Sequence, residues 1–283
     1  MVTVETEGRH VAQMLALVRT RTSFFPPYLY RHCQILGEGI YTEDAPLPRN
    51  ELFGLMLHAL TSRLGRWLLY IEVSHLSQKM FGFRELREQK FFPVRWMSIH
   101  NSLHSHAPEE RISRRMQQRI DSAYLRGVVT NEVKTDEDFE AFFRLLKHHN
   151  WLKPKRYIPD QRFFRRMHEQ GSAKLALTRW HEHVIGCSAT VYSHGQAYLW
   201  YAAYKRKSYA KQHPDLLTIW YAIKKAHQEG CQHIYFMDVG LPFRKNAFRD
   251  FILRFGGKPT STYRWFRCSI SWINRLLSWI YRE

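Results

Sequence analysis

The sequence predicts an α+β protein in which a mixed sheet is flanked by helices. Between residues 128 and 267, short runs rich in β-branched and aromatic residues alternate with amphipathic segments of helical period. Hydrophobic residues make up 45% of the chain and aromatic residues 15%, which is enough for a packed core. With 283 residues, the chain is long enough for one large domain or for two of ordinary size.

The first half of the chain shows fewer clear elements. An amphipathic helix is expected from about Asn50 to Leu64, because apolar residues recur there at helical spacing and Asn50 is a good cap. Strands are expected at Trp67 to Val73 and at Phe91 to Ile99. A basic helix is expected from Glu109 to Arg126, ended by Gly127 in a left-handed cap.

The second half is more regular. A strand from Val128 to Val133 precedes a helix to about His149, opened by the capping-box pair Thr135 and Asp138. Another helix begins at Pro159-Asp160 and ends at a glycine. The elements expected after it are three strands (Ala173 to His181, Val184 to Tyr192, Ala197 to Tyr204), a helix (Pro214 to Glu229), a strand (His233 to Val239), a helix (Lys245 to Phe255) and a strand (Thr260 to Arg267).

The charge of the chain restricts its class of partner. Lys and Arg total 43 against 25 Asp and Glu, a formal net charge of +18. This excess predicts a polyanionic partner: nucleic acid, an anionic lipid surface or a phosphate-bearing substrate. No obligate protein partner is inferred.

Cysteine spacing and hydropathy bear on the compartment. The four cysteines lie far apart and form no CxxC pair, which predicts reduced thiols and no zinc knuckle. No segment reaches the ~18 apolar residues that span a bilayer, and the N-terminus has no signal-peptide pattern. A cytoplasmic location is therefore expected, with peripheral contact at the inner face of the membrane left open.

Several segments of the second half carry a resemblance to known enzymes. They are Ala197 to Tyr204 (AYLWYAAY), the helix led by Pro214, the Phe-Met-Asp-Val-Gly run at 236–240, Arg249-Asp250-Phe251, and Phe255-Gly256-Gly257. In these segments and in the order of elements, the chain resembles the Fem aminoacyltransferases of peptidoglycan bridges and their bacterial GNAT relatives.

This resemblance implies two GNAT-like lobes, of which the first is degenerate. The implied parts are an N-terminal lobe at 1–110, a C-terminal GNAT-like domain at 111–268 and an amphipathic helix at 269–283. The implied activity is transfer of an activated acyl or aminoacyl group onto an amine of a cell-envelope precursor or related metabolite. A non-catalytic protein that binds nucleic acid or membrane on a retained GNAT scaffold is the alternative.

The resemblance also suggests catalytic residues. In such relatives, the strand end at Asp238 and the helix end at Gly256 frame the cleft where the donor meets the amine. The amine must lose a proton and the oxyanion must be stabilised, so the site needs a base and a hydrogen-bond donor. Asp238 is expected to orient or deprotonate the amine, and Tyr204 and Arg254 are further catalytic candidates. A strand-end Asp also serves as a turn cap, and that interpretation stays open.

The implied donor is either acyl-CoA or aminoacyl-tRNA. Many GNAT enzymes hold the CoA pyrophosphate on a glycine-rich loop before the central helix, but the matching segment here, residues 205–213, has no glycine. Its cations are expected to bind donor phosphates through their side chains instead: Lys205, Arg206, Lys207 and Lys211. A solvated loop is the alternative.

A second departure from the Fem pattern lies in the last helix. Fem enzymes usually carry Phe-Lys there, whereas this chain has Phe251-Ile252. Arg254 or Lys245 would have to replace the lysine. Loss of activity or a changed donor is therefore an open alternative.

Substrate contacts are expected from aromatic and basic side chains. Tyr201 and Trp200 lie on the strand next to the implied cleft and offer rings for stacking, although core packing explains such residues equally well. Phe251 and three arginines of the basic helix complete the set of substrate-binding candidates: Arg114, Arg115 and Arg119.

Two other patterns have more than one explanation. His100, His104 and His106 have a metal-like spacing but lie in a Ser-rich segment without a nearby carboxylate, so no metal is expected. The C-terminal segment from Ile270 to Glu283 has a broad apolar face with Arg275 near its edge. Both contact with an anionic membrane and packing against the protein fit that face.

Overall fold

The computed structural model describes residues 1–23, 28–64, 67–76, 80–150, 158–237, 239–241 and 244–281. These residues divide into two compact units, 1–96 with 261–283 and 97–260. The boundaries of these compact units, near residues 96 and 261, therefore differ from the domain boundaries expected at 110 and 268. Those boundaries stay predictions about where the two lobes begin and end.

Strands and helices alternate along the described residues. The strands are β1 (Val2–Thr6), β2 (Arg9–Met14), β3 (Ala16–Ser23), β4 (Tyr28–Leu36), β5 (Ile40–Tyr41), β6 (Tyr70–Ser74), β7 (Phe92–Ser102), β8 (Val128–Glu132), β9 (Ala173–Trp180), β10 (His183–Ser193), β11 (Gln196–Tyr204), β12 (His233–Phe236) and β13 (Lys258–Cys268). The helices are α1 (Arg49–Leu64), α2 (Phe83–Glu88), α3 (Arg114–Leu125), α4 (Asp136–Asn150), α5 (Gln161–Glu169), α6 (Pro214–Gln228), α7 (Ala247–Leu253) and α8 (Ser271–Ile280).

The first unit is built on α1 and two sets of strands. One antiparallel sheet has the order β1-β2-β5. The other strands of the unit have the order β3-β4-β6-β13, in which β4 and β6 are parallel and the remaining neighbours are antiparallel. The core joins buried residues of α1 to residues of these strands, including Phe53, Met56, Ile71 and Trp265.

The second unit is a mixed sheet with helices on both faces. Its strand order is β7-β12-β11-β10-β9-β8, antiparallel throughout except for the parallel pair β11 and β12. Consecutive residues of β10 show the two faces. Gly186 lies under Thr218 of α6, and Cys187 lies against the carbonyl of Phe142 in α4. The expected α+β class with a helix-flanked mixed sheet is confirmed.

The same arrangement occurs in both units. In the first unit, the hairpin β3-β4 leads through α1 to β6, which is parallel to β4. In the second unit, the hairpin β10-β11 leads through α6 to β12, which is parallel to β11. β7 follows α2 and pairs with β12 in the second unit. β13 follows α7 and pairs with β6 in the first unit. This repetition is what a fold of two GNAT-like lobes requires.

Some predicted bounds differ from the observed ones. The basic helix does not begin at Glu109, because residues Pro108–Arg111 form a 3₁₀ turn and Ser113 then caps α3. The strand predicted to reach Val239 ends at Phe236. The apolar residues predicted to face inward on α6 are buried: Leu216, Leu217, Trp220, Ile223 and Ala226. No helix in the described ranges has the length and apolar composition that a membrane span requires.

Candidate active site

A basic cavity of about 940 Å³ lies within the second unit. Its walls come from α3, from the loop after β11, from the first turn of α6 and from α7. β11 and β12 are parallel, and the loop and α7 follow their carboxyl ends. In open sheets this edge is where ligands commonly bind, because loops diverge there.

The two parallel strands separate beside this edge. Their pairing ends at Leu199 and Phe236, although β11 continues to Tyr204 through its pairing with β10. Among the described residues, β11 beyond Leu199 therefore has no ladder partner on the β12 side. We call this opening the β11–β12 gap. The cleft that the resemblance implied, framed by Asp238 and Gly256, stays a prediction, because Asp238 lies outside the described residues.

Two helix N-termini face the cavity. Ser113 lines the cavity and caps α3, where its hydroxyl accepts a hydrogen bond from the Met116 backbone N–H at 3.3 Å. α6 begins at Pro214, preceded by His213 in a left-handed conformation (φ 48°). The first amides of a helix and its dipole attract anions.

Five cationic side chains line the same cavity: Arg115, Arg119, Arg206, Lys207 and Arg254. Asp215 supplies one carboxylate, which lies 3.3 Å from Nε of Arg206. Among the described residues, the other four cations have no carboxylate within ion-pair distance. A cavity with such an excess of positive charge is suited to hold phosphate groups.

His213 is held in its neutral form beside these cations. Burial lowers the pKa of its imidazole, and the positive charges of Arg119, Arg126 and Arg206 lower it further, against the opposing effect of Asp215. A neutral imidazole at neutral pH can accept a proton.

Two glycines after α7 allow the turn there to pack closely against neighbouring segments. Gly256 has φ 80°, and a Cβ there would lie 2.7 Å from Cβ of Arg111 and 3.0 Å from its carbonyl oxygen. A Cβ on Gly257 would lie 2.7 Å from Ile99. The backbone at Phe255 is fixed by the buried side chain of Asn101, which donates to the Phe255 carbonyl at 2.8 Å. The paired glycines are therefore required for close packing of this turn against β7 and the segment that leads into α3.

Comparison with known proteins gives this architecture a family. Residues 110–245 match the family model of the acetyltransferase (GNAT) domain. The chain carries a GNAT domain. It is accordingly an N-acyltransferase, which the sequence resemblance had implied. A comparison with curated proteins finds no significant sequence match.

Solved structures show how far this fold extends beyond the GNAT domain. FemX is similar at a TM-score of 0.64 and 12% identity, over 98% of this chain and 89% of FemX. L-PGS from Bacillus licheniformis gives 0.63 and 12% identity, over 94% of this chain and 90% of its own. A tandem GNAT protein from the clavulanic acid biosynthesis pathway gives 0.53 and 10% identity, over 94% and 82%. These likenesses concern the fold, and they cover both units.

About half of the predicted site residues meet in the cavity of the GNAT domain. Those that line it are Arg115, Arg119, Arg206, Lys207, Phe251 and Arg254. Those that do not are Arg114, Lys205, Lys211, Tyr204, Trp200 and Tyr201. Asp238 lies outside the described residues. The catalytic and binding roles themselves stay predictions.

Trp200 and Tyr201 lie on the α5 side of the sheet. The register of β11 against β10 shifts between Tyr201, paired with Ala189, and Leu199, paired with Thr190, so Trp200 is an extra bulge residue. Both rings consequently contact Phe164 of α5, and Tyr201 is only 5% exposed. Tyr204, at the strand end, contacts the ring of His149.

Ile252, which stands where the Fem pattern has a lysine, is part of the core. Ile252 is fully buried among the residues that pack between α6 and α7, with Phe255 beside it. An ammonium group there would be buried without a partner. Arg254, two residues later, does reach the cavity and is the cation that α7 supplies.

Sequence analysis missed the residues that fix the loop after β12. Asn246 caps α7 by accepting from the backbone of Phe248 and Arg249, and its amide donates to the Val239 carbonyl at 2.9 Å. Arg249 donates to the Leu241 carbonyl at 2.8 Å. An Asn directly before an apolar helix was the signal that pointed to this cap. His213 and Asp215 were missed too, because a His-Pro-Asp sequence at a helix start has ordinary capping explanations.

Proposed function

We propose that this N-acyltransferase takes an aminoacyl group from aminoacyl-tRNA and transfers it to an amine of a cell-envelope molecule. The observation that carries the proposal is the cavity beside the β11–β12 gap, in which five cations and the N-terminus of α3 line a space of about 940 Å³. A phosphodiester chain is a ligand that such a set of side chains binds well.

The start of α6 favours tRNA over CoA as donor. Pro214 has no N–H to offer a phosphate, and the neighbouring Asp215 carboxylate already occupies the first turn of the helix. A pyrophosphate held by backbone amides therefore lacks its usual cradle. Phosphates spaced along a nucleic-acid backbone can use separate side chains such as Arg119, Arg206 and Lys207.

The acceptor class is taken from the fold likenesses. FemX and L-PGS, a lysylphosphatidylglycerol synthetase, span most of this chain in structure. A nucleotide-linked peptidoglycan precursor and a phosphatidylglycerol headgroup both carry phosphate. The first also carries an amine, so it is the acceptor we propose.

The proposed reaction needs no covalent enzyme intermediate. The acceptor amine attacks the ester carbonyl carbon, the resulting oxyanion collapses, and the 3′ oxygen of the tRNA leaves with a proton. In this reaction Arg254, which lines the cavity, stabilises the negative charge of the oxyanion. Asp238, or the neutral imidazole of His213, accepts the proton that the amine loses.

A transfer assay tests this function. Protein is incubated with a pool of radiolabelled aminoacyl-tRNA, or with labelled acetyl-CoA, together with nucleotide-linked peptidoglycan precursor, and label in the precursor is counted. We expect transfer from aminoacyl-tRNA, with the KM for tRNA raised about tenfold in an Arg119→Ala, Arg206→Ala double variant. Arg162→Ala, an exposed arginine of α5 outside the cavity, is the matched control and should leave KM unchanged.

Two outcomes would contradict the proposal. Transfer from acetyl-CoA alone would make CoA the donor. Salt-dependent tRNA binding without transfer to the precursor or to any amine added would favour the non-catalytic alternative, which the buried Ile252 at the lysine position supports.

A further inference from the structure

The last helix of the first unit, α8, packs with a polar residue inward. Asn274 is only 8% exposed, and its side chain accepts from the Cys268 backbone N–H at 2.8 Å and donates to the Lys90 carbonyl at 2.9 Å. Stacking of Tyr281 on Phe92 fixes the far end of the helix. α8 is therefore anchored by hydrogen bonds and one aromatic contact, together with partial burial of Ile273 and Leu277.

Four of the six apolar residues of α8 point away from the protein, whereas Ile273 and Leu277 are half-buried. Trp272 is 64% exposed, Leu276 46%, Trp279 70% and Ile280 55%. Their spacing of three, four and seven residues places them on one face of the helix. A soluble surface helix normally shows the opposite arrangement, so this face is built to contact something apolar.

The exposed apolar surface continues beyond the helix. Ser269, just before α8, bonds through its N–H to the Leu69 carbonyl, which brings the 67–69 segment next to the start of the helix. Trp67 is 73% exposed and Leu69 42%, and Ile270 is 42% exposed between them and α8. Three exposed tryptophans thus belong to α8 and to the segment next to its start, and tryptophan is favoured at the boundary of lipid and water.

Charge decides which apolar partner fits. Arg275 is exposed at the edge of the same helical face. The segments 67–69 and 269–281 contain no Asp or Glu. A second copy of the chain docked through the same segments would therefore offer Arg275 no carboxylate. An anionic lipid surface complements both the apolar and the cationic residues.

We propose that α8 and the 67–69 segment form a membrane-docking surface that lies in the interface of an anionic bilayer. A helix of ten residues is about 15 Å long, half of the ~30 Å hydrocarbon core, so it lies along the surface. The tryptophans and Leu276 enter the headgroup boundary while Arg275 contacts lipid phosphates. This inference is independent of which donor and acceptor the enzyme uses.

Vesicle sedimentation of the full chain tests the docking surface. Vesicles contain either phosphatidylcholine alone or equal amounts of phosphatidylcholine and phosphatidylglycerol, and binding is measured at low and at high salt. We expect binding to the mixed vesicles that a Trp272→Ser, Trp279→Ser double variant weakens at least about tenfold. The loss should persist at high salt, where screening removes the general attraction of a +18 protein.

Arg275→Glu should weaken binding about fivefold, and only on anionic vesicles.

Controls separate docking from folding and from self-association. Leu55→Ser removes an apolar residue that is 50% exposed on α1 and should leave binding unchanged. All variants should keep the melting temperature of the wild type, because the residues changed are exposed. Equal binding of wild type and double variant would overturn the proposal. So would a concentration-dependent dimer, seen by sedimentation velocity, that the double variant abolishes.

Discussion

Asp215 occupies the place in the cavity where an anionic ligand is expected. Its carboxylate is at the start of α6, is 10% exposed and lies 3.3 Å from Arg206. The helix dipole stabilises a carboxylate at this position, and so does the guanidinium. The protein thus carries its own anion at the N-terminus of the central helix, and any phosphate has to bind around it or displace it from Arg206.

Removal of this charge should strengthen phosphate binding. For Asp215→Asn, we expect affinity for inorganic pyrophosphate, measured by calorimetry, to rise about fivefold, because Arg206 is released and a repulsive charge is lost. Asp136→Asn is the matched control, since Asp136 is also a first-turn acid paired with an arginine, Arg165, but lies outside the cavity. Weaker pyrophosphate binding by Asp215→Asn would mean that Asp215 orders Arg206 for the ligand.

Residues of the cavity were predictable from the sequence where the side chain has a single evident chemical use, as clustered cations do. Arg115, Arg119, Arg206 and Lys207 were identified from clusters of cations, and the folded chain brings them to one cavity. The role of His213 was not readable, because its neutral state depends on burial and on arginines from another helix. The carboxylate of Asp215 was equally ambiguous, since a first-turn acid is ordinary helix chemistry.

At the scale of elements, the turn after α7 depends on a glycine for two separate reasons. Gly256 adopts a left-handed conformation, and it also lies against the backbone of Arg111. Gly127, after α3, has the same conformation (φ 78°), but a Cβ added there would meet nothing within 4 Å. Comparison of the two glycines separates conformational strain from steric contact.

Gly256→Ala should therefore destabilise the protein more than Gly127→Ala. The left-handed conformation costs alanine about 1–2 kcal/mol at either position. At Gly256 a further ~1–3 kcal/mol is expected from overpacking against Arg111. Thermal unfolding followed by circular dichroism measures the difference. Equal melting temperatures for the two variants would show that the Arg111 segment moves aside at little cost.

The hydrophobic periodicity of the sequence predicted the elements that pack on a core. It did not predict irregular features that depend on local hydrogen bonding. α6 was found with its inward residues, since its apolar spacing continues over four turns. The bulge at Trp200 has no sequence signature, so the strand AYLWYAAY could not reveal that Trp200 and Tyr201 share the α5 side. The first five strands, β1 to β5, were not predicted, although β3 and β4 are eight and nine residues long.

At the scale of the whole molecule, the two units repeat one arrangement of hairpin, helix and parallel strand but differ in chemistry. The basic cavity belongs to the second unit, which contains all of the residues matched by the GNAT family model. The outward apolar helix α8 belongs to the first. The net charge of +18 is a property of the entire chain. The proposed binding of nucleic acid is therefore expected to have two components, a general one and one specific to the cavity.

Salt dependence distinguishes these two components. Affinity for deacylated tRNA should fall steeply with salt, since each phosphate neutralised adds about 0.9 to the slope of log K against log salt concentration. In an Arg119→Ala, Arg206→Ala double variant the slope should shrink by about 2, because two phosphate contacts are lost. An Arg87→Ala, Arg162→Ala double variant removes the same charge from exposed positions outside the cavity. Fluorescence anisotropy over a salt series gives all three slopes. If both double variants reduce the slope equally, tRNA is bound by the charge of the surface as a whole, and the cavity is not its site.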